Sequence, residues 1–134
     1  MKRPGSVLVV DDQIDIVELV VDFLRDEGYR VTGVTDGLTA LSLIESERPR
    51  LVLLDMLMPQ MTGMEVWQRL QQYNDTAVVL MTASPNLAEA LLPQAQTDYL
   101  AKPFDLDQLL DCVARYVNPT SDPAFSTTLP SFPS

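Results

Sequence analysis

Residues Arg50–Pro59, RLVLLDMLMP, set Asp55 directly behind four consecutive aliphatic side chains, Leu51, Val52, Leu53 and Leu54. A run with no polar alternation reads as a strand buried on both faces, which is what a central strand of a parallel sheet requires. The carboxylate either stops that strand or does chemistry at its end, and the neighbouring segments bear on which. SVLVV (Ser6–Val10) reads as a second buried strand. DQIDIVELVVDFLRDEGY then places Ile14, Val17, Val20, Val21 and Leu24 near helical spacing, with Gly28 as the stop. RVTGV (Arg30–Val34) is a further strand, and GLTALSLIESERP carries Leu38, Leu41 and Ile44 on one face before Pro49.

Beyond the opening stretch, GMEVWQRLQQY predicts a helix packed through Val66, Trp67 and Leu70. AVVLM (Ala77–Met81) is a strand, NLAEALLPQ a helix that Pro93 shortens or bends, and DYLA a fifth strand. FDLDQLLDCVARYV predicts the last helix, with Asp105 as N-cap, Gln108 completing a capping box, and Leu106, Leu109, Leu110 and Val113 facing inward. Five strand–helix repeats with short connections predict an α/β fold, a doubly wound five-stranded parallel sheet covered by helices on both faces.

Composition narrows the function classes. A chain of 134 residues that is 46% apolar fills a single core. The formal charge of −10 argues against direct nucleic-acid binding, which needs clustered Lys and Arg. No apolar run approaches the ~18 residues of a membrane span, and MKRPGS leads into no apolar signal region, so the expected location is cytoplasmic, without membrane contact. The single cysteine, Cys112, excludes an intramolecular disulfide and a cysteine metal site and reads as a buried spacer. The absence of histidine removes Ser-His and Cys-His catalysis, histidine general bases and histidine phosphorylation, so any phosphohistidine must come from a partner. Residues 1–117 read as the folded domain. In the last 17 residues, NPTSDPAFSTTLPSFPS, 11 are Pro, Ser or Thr, which predicts a flexible tail or the start of a linker for 118–134, with docking through Phe125, Leu129 and Phe132 as the other reading.

In a doubly wound sheet, ligands bind at the carboxyl ends of the strands. Those ends carry Asp11 and Asp12, Asp55, Thr82 and Lys102. Singly these are ordinary caps, turn residues and solvated charges. Together, three converging carboxylates repel one another unless a cation neutralises them. Hard oxygen donors without sulfur or imidazole suit Mg²⁺, or Mn²⁺ in its place. A carboxylate can attack a phosphoryl group, and a divalent cation, the Lys102 ammonium and the Thr82 hydroxyl would stabilise the charge on its oxygens.

The acidic pair DD after the first strand, LLDMLMP, the TG that closes the next loop at Gly63, MTA after the fourth strand, and DYLAKPF agree in order and place with one family. Over about Ser6 to Val117 the sequence resembles the receiver domain of two-component response regulators, with its flavodoxin-like (βα)5 fold. The resemblance implies that Asp55 is the phosphoacceptor and that Asp12, Asp55 and the backbone carbonyl of Leu57 ligate Mg²⁺, with Asp11 acting directly or through water. It implies that Thr82 and Lys102 contact the phosphoryl oxygens, that the Lys102–Pro103 bond is cis, and that Thr82 and Tyr99 form the switch. The donor would be a sensor histidine kinase or a histidine phosphotransfer protein. The reader would be a downstream protein target or output domain, or a second copy in a phosphorylation-dependent homodimer. Such a module catalyses only its own phosphorylation and dephosphorylation.

Two features depart from the family pattern. SPNLAEALLPQAQTDYL is short, with Pro93 in mid-helix and Gln96-Thr97 where a small turn is usual. Leu57 and Ser84 stand two positions past Asp55 and Thr82, and an apolar Leu57 cannot orient the hydrolytic water, which predicts a long-lived phosphoryl group. The alternatives are a small Mg²⁺-dependent phosphohydrolase, which commonly has an Asp where Leu57 stands, and a phosphorylation-independent pseudo-receiver, against which all the chemistry positions are filled. A flavin-binding protein of this topology fits less well, since DDQID sets carboxylates where a phosphate would lie.

Overall fold

The aliphatic run ending in Asp55 becomes the middle strand of the sheet. The computed structural model describes residues 6–56, 63–70, 72, 76–83 and 98–117. In chain order these form β1 (Ser6–Val10), α1 (Ile14–Asp26), β2 (Arg30–Val34), α2 (Gly37–Glu47), β3 (Leu51–Asp55), α3 (Gly63–Leu70), β4 (Ala77–Thr82), β5 (Asp98–Ala101) and α4 (Leu106–Tyr116). All pairings are parallel and the strand order is β2-β1-β3-β4-β5. The order reverses between β1 and β3, so the switch point of the sheet lies where Asp11, Asp12 and Asp55 leave their strands.

The aliphatic run of β3 is explained by two separate cores. Side chains alternate along a strand, so Leu51 and Leu53 join Val7, Val9, Val79 and Met81 beneath α1 and α4, through Val17, Val20, Leu24, Leu109, Cys112 and Val113. Val52 and Leu54 point the other way and join Leu8, Val10, Val78 and Leu80 beneath α2 and α3, through Ala40, Ile44 and Val66. With helices on both faces, neither parity can be polar. Cys112 is buried in the first of these cores, as a spacer would be.

Local chemistry sets the helix ends. Asp36 caps α2, its carboxylate accepting from the Thr39 N–H at 2.7 Å. Asp105 and Gln108 form the reciprocal capping box of α4, at 2.7 and 3.0 Å. Gly28, with φ 97°, turns the chain out of α1 in a conformation that costs glycine little.

Some inner faces differ from the sequence expectation. Leu38 is 63% exposed, and α2 meets the sheet through Gly37, Ala40 and Ile44, with Leu41 half-buried at the margin. Residues 37, 40, 41 and 44 share one helical face, whereas position 38 lies about 100° round the helix from Gly37, which turns Leu38 off that face. Ile14, in the first turn of α1, is 52% exposed, and Leu106 and Leu110 are half-buried flanks of the α4 core face. β4 extends one residue further than AVVLM, to Thr82. The side chains of Trp67 and Leu70, the segment NLAEALLPQ and residues 118–134 lie outside the described residues.

Helix α1 lies against β2 at Gly33. A Cβ there would collide with Val17 Cγ1 and lie 2.9 Å from Val21 Cγ2, and β-branched valines have little rotamer freedom to yield. Gly33→Ala should therefore destabilise the fold by about 1–3 kcal/mol through overpacking, read as a lower denaturant midpoint at unchanged slope. Asp36 supplies a pH signature. The Thr39 backbone N–H, and then its hydroxyl, hold the Asp36 carboxyl below the usual carboxylate value. A depressed folded value means that the cap's contribution is present above the unfolded value and is lost as pH falls through the folded one. Asp36→Ala should cost about 0.5–1 kcal/mol at neutral pH, and in melts at decreasing pH the gap to wild type should close below about pH 3.9.

Candidate functional site

Strand β1 delivers two residues, and β3, β4 and β5 one each, to a polar cluster at the carboxyl edge. Asp11 is fully buried and Asp12 exposed just past β1; Asp55, 7% exposed, ends β3; Thr82, buried, ends β4. Lys102 follows β5, and its peptide bond to Pro103 is cis. In the β3–β4 register Asp55 faces Met81, which sets Thr82 one step further along the neighbouring strand. The Met56 N–H donates to the Met81 carbonyl at 3.1 Å and carries the ladder past Asp55, so that this residue leaves a strand tethered on both sides. The Lys102 N–H donates to the Thr82 carbonyl at 2.7 Å and ties the end of β5 to that of β4.

Asp11 is held at both oxygens. Its Oδ1 accepts from the Gln13 N–H at 3.0 Å and its Oδ2 from Lys102 Nζ at 2.7 Å, while its own N–H donates to the Val34 carbonyl at 3.3 Å. Lys102 Nζ also lies 3.5 Å from Asp55 Oδ1 and thus bridges two carboxylates on different strands. Asp11, Asp12 and Asp55 can each bring one carboxylate oxygen within 4.8 Å of the others. One ammonium against three carboxylates leaves the cluster with excess negative charge. An all-oxygen, acidic donor set of this size suits a hard divalent cation.

The structure therefore brings together Asp11, Asp12, Asp55, Thr82 and Lys102. Tyr99, on β5, stands apart, in register with Leu80 of β4 and packed, partly buried, against the α2–α3 core. Leu57 and Ser84 lie outside the described residues. The backbone partners of Asp11 were not legible beforehand, because the Gln13 N–H and the Val34 carbonyl are groups that any residue supplies. Among the described residues no helix is long and apolar enough to cross a membrane.

This geometry has close counterparts among known proteins. A family model described as the response regulator receiver domain matches residues 7–114. Sporulation initiation phosphotransferase F of Bacillus subtilis is 37% identical over 115 residues, covering 84% of this chain and 93% of its own. Response regulator MprA of Mycolicibacterium vanbaalenii is 39% identical over 110 residues, covering 80% of this chain and 48% of its own. The chain spans about half the length of MprA and of several other regulators that it matches. Among solved structures, response regulator protein TrrA from Thermotoga maritima, in complex with Mg²⁺-BeF, aligns with TM-score 0.76 at 32% identity over 84% of this chain and 99% of that one. Chemotaxis protein CheY4 of Vibrio cholerae aligns with TM-score 0.75, also at 32% identity, over 86% and 100%.

The position of Lys102 gives a direct test of the charge balance. Removing the ammonium leaves Asp11 buried without its strongest partner, so Lys102→Met should lose about 1–3 kcal/mol in a buffer free of divalent cations. Millimolar Mg²⁺ should restore more stability to this variant than to the wild type, as a difference in melting temperature would show.

Proposed function

This chain belongs to the response regulator receiver family of two-component signalling, and we propose that its carboxyl-edge cluster takes a phosphoryl group from a phosphohistidine onto Asp55. The observation that carries the reading is the bridge from Lys102 to both Asp11 and Asp55, inside a three-carboxylate cluster at the end of the central strand. An Asp55 oxygen forms the new P–O bond as the donor's P–N bond breaks, and the electron pair leaves with the donor's imidazole nitrogen. Lys102 passes from Asp11 to the phosphoryl oxygens, and the Thr82 hydroxyl donates to one of them. Because Asp55 leaves a rigid strand, its attacking oxygen is positioned beforehand.

The donor set fits Mg²⁺, with Mn²⁺ able to substitute. Asp12, Asp55 and the Leu57 backbone carbonyl would hold the ion, with Asp11 contributing directly or through water. When bound, it supplies positive charge against the phosphoryl oxygens. Thr82 moving toward the phosphoryl group makes room for Tyr99 to turn inward, and this shifts the population of the surface around β5 and α4. A sensor histidine kinase or histidine phosphotransfer protein delivers the group, in the cytoplasm. A downstream protein, an output domain or a second copy reads the switched surface. Residues 1–117 are the receiver unit and 118–134 a tail or linker. The chain acts on its own phosphoryl group and on no separate substrate.

Incubation with acetyl phosphate and Mg²⁺, followed by intact mass measurement, tests this. Wild type should gain the mass of one phosphoryl group, Asp55→Asn should gain none, and Lys102→Ala should label about 10²-fold more slowly. Chelating the metal should stop labelling. With Leu57 unable to orient water, the label should outlast minutes in Mg²⁺ buffer. No gain in wild type, or an equal gain in Asp55→Asn, would overturn the assignment.

A further inference from the structure

The strands pair in parallel, so each described helix starts at the carboxyl edge, where its strand ends, and returns toward the amino edge. That path sorts the charges. Asp15 lies in the first turn of α1, Asp36 caps α2, and Asp105 and Asp107 stand at the cap and first turn of α4. These four acids form a rim around the Asp11–Asp55–Lys102 cluster. Arginines take the other ends. Arg25, Arg69 and Arg115 occupy the last turns of α1, α3 and α4, Arg48 is the C-cap of α2, Arg30 opens β2 and Arg50 directly precedes β3.

The whole chain has nine Lys and Arg. Besides these six arginines and Lys102, only Lys2 and Arg3 remain, and they lead into the amino end of β1. Among the described residues Lys102 is therefore the one basic side chain at the carboxyl edge, and the segments outside them, residues 1–5 apart, contain no Lys or Arg. Helix dipoles account for the placement one helix at a time, since acids suit N-termini and bases suit C-termini. Parallel strands make the helices agree, and the sum is a field across the whole molecule.

Asp55 sits inside the negative end of that field and is 7% exposed, so a donor has to bring its phosphorus to the carboxyl edge. Three carboxylates, one ammonium and a divalent cation would balance, but the rim acids lie outside that balance. A phosphoryl donor is itself an anion, and a small free one meets the rim with nothing to offset the repulsion. We propose that the acidic rim selects the donor by charge: it favours a protein whose phosphohistidine is ringed by Lys and Arg, and it slows transfer from small phosphate anions. With Asp55 as phosphoacceptor, the reading on which this selection rests, the exposed Asp15 and Asp107 are specificity-determining residues. They act on the approach of the donor and leave the bond-making step to the cluster.

The test follows labelling of Asp55 by intact mass at fixed, saturating Mg²⁺ while ionic strength rises from about 0.02 to about 0.3 M, which shortens the screening length several-fold. The donors are acetyl phosphate, which releases acetate, and two synthetic phosphohistidine peptides of equal length, flanked by lysines or by glutamates, which release their imidazole. Added salt should slow transfer from the lysine-flanked peptide and speed it from the other two donors, each by about threefold or more. At low salt the double variant Asp15→Asn with Asp107→Asn should label from acetyl phosphate about threefold faster than wild type and narrow the gap between the peptides. Asp26→Asn with Glu27→Gln removes the same charge at the far end of α1 and should change neither. Equal salt responses of the two peptides, with Asp55 still labelled, would overturn the proposal alone. So would equal effects of the two double variants, which would trace the response to net charge, or a salt response that varies with protein concentration, which would mean that opposite edges of two copies meet. Absence of labelling from every donor would overturn the phosphoacceptor reading and the selection with it.

Discussion

The complete burial of the Asp11 carboxylate is the constraint on which the rest of the arrangement depends. Taking a carboxylate out of water costs several kcal/mol unless charge and hydrogen bonds replace the lost hydration. Lys102 and the Gln13 N–H do this here, at 2.7 and 3.0 Å. Lys102 reaches Asp11 with β5 beside β4, β4 beside β3 and β3 beside β1. The polar cluster and the sheet topology are thus one condition seen from two sides. The aliphatic runs drive the strands together, and the ion pair is satisfied in the register they adopt.

In the proposed phosphoacceptor reading, that ion pair also gives the site its capacity to change. Lys102 bridges Asp11 and Asp55, so a phosphoryl group on Asp55 would offer it stronger acceptors and draw it from its resting partner. A divalent cation in the cluster would take over the neutralisation of Asp11. The apolar scaffold beneath is close-packed and has little freedom to follow gradually, so a change in these partnerships favours one of two packings rather than a graded shift. Tyr99, on β5 and against the α2–α3 core, lies where such a change could reach the surface.

Much of this was legible in the sequence because parallel topology turns a one-dimensional pattern into a spatial one. If consecutive strands are parallel, residues at their carboxyl ends meet, and Asp11, Asp12, Asp55, Thr82 and Lys102 follow without knowledge of any contact. LVLLD announced its own centrality because only a strand covered on both faces can be apolar at both parities. What stayed hidden falls into two kinds. Leu38 was expected inside because hydropathy ranks leucine above glycine and alanine, yet the buried face of α2 runs through Gly37, Ala40 and Ile44, and position 38 lies off it. The Gln13 N–H and the Val34 carbonyl that hold Asp11 were hidden because they are backbone groups, which carry no sequence identity.

A high-resolution structure determined with Mg²⁺ and beryllofluoride, a phosphoryl mimic, would show where Lys102 goes when Asp55 carries the group. Beryllofluoride is expected on Asp55, with Lys102 Nζ withdrawn from Asp11 Oδ2 to a fluorine and the Thr82 hydroxyl on another. Beryllofluoride on a different carboxylate, or on Asp55 with Lys102 still bound to Asp11, would contradict this.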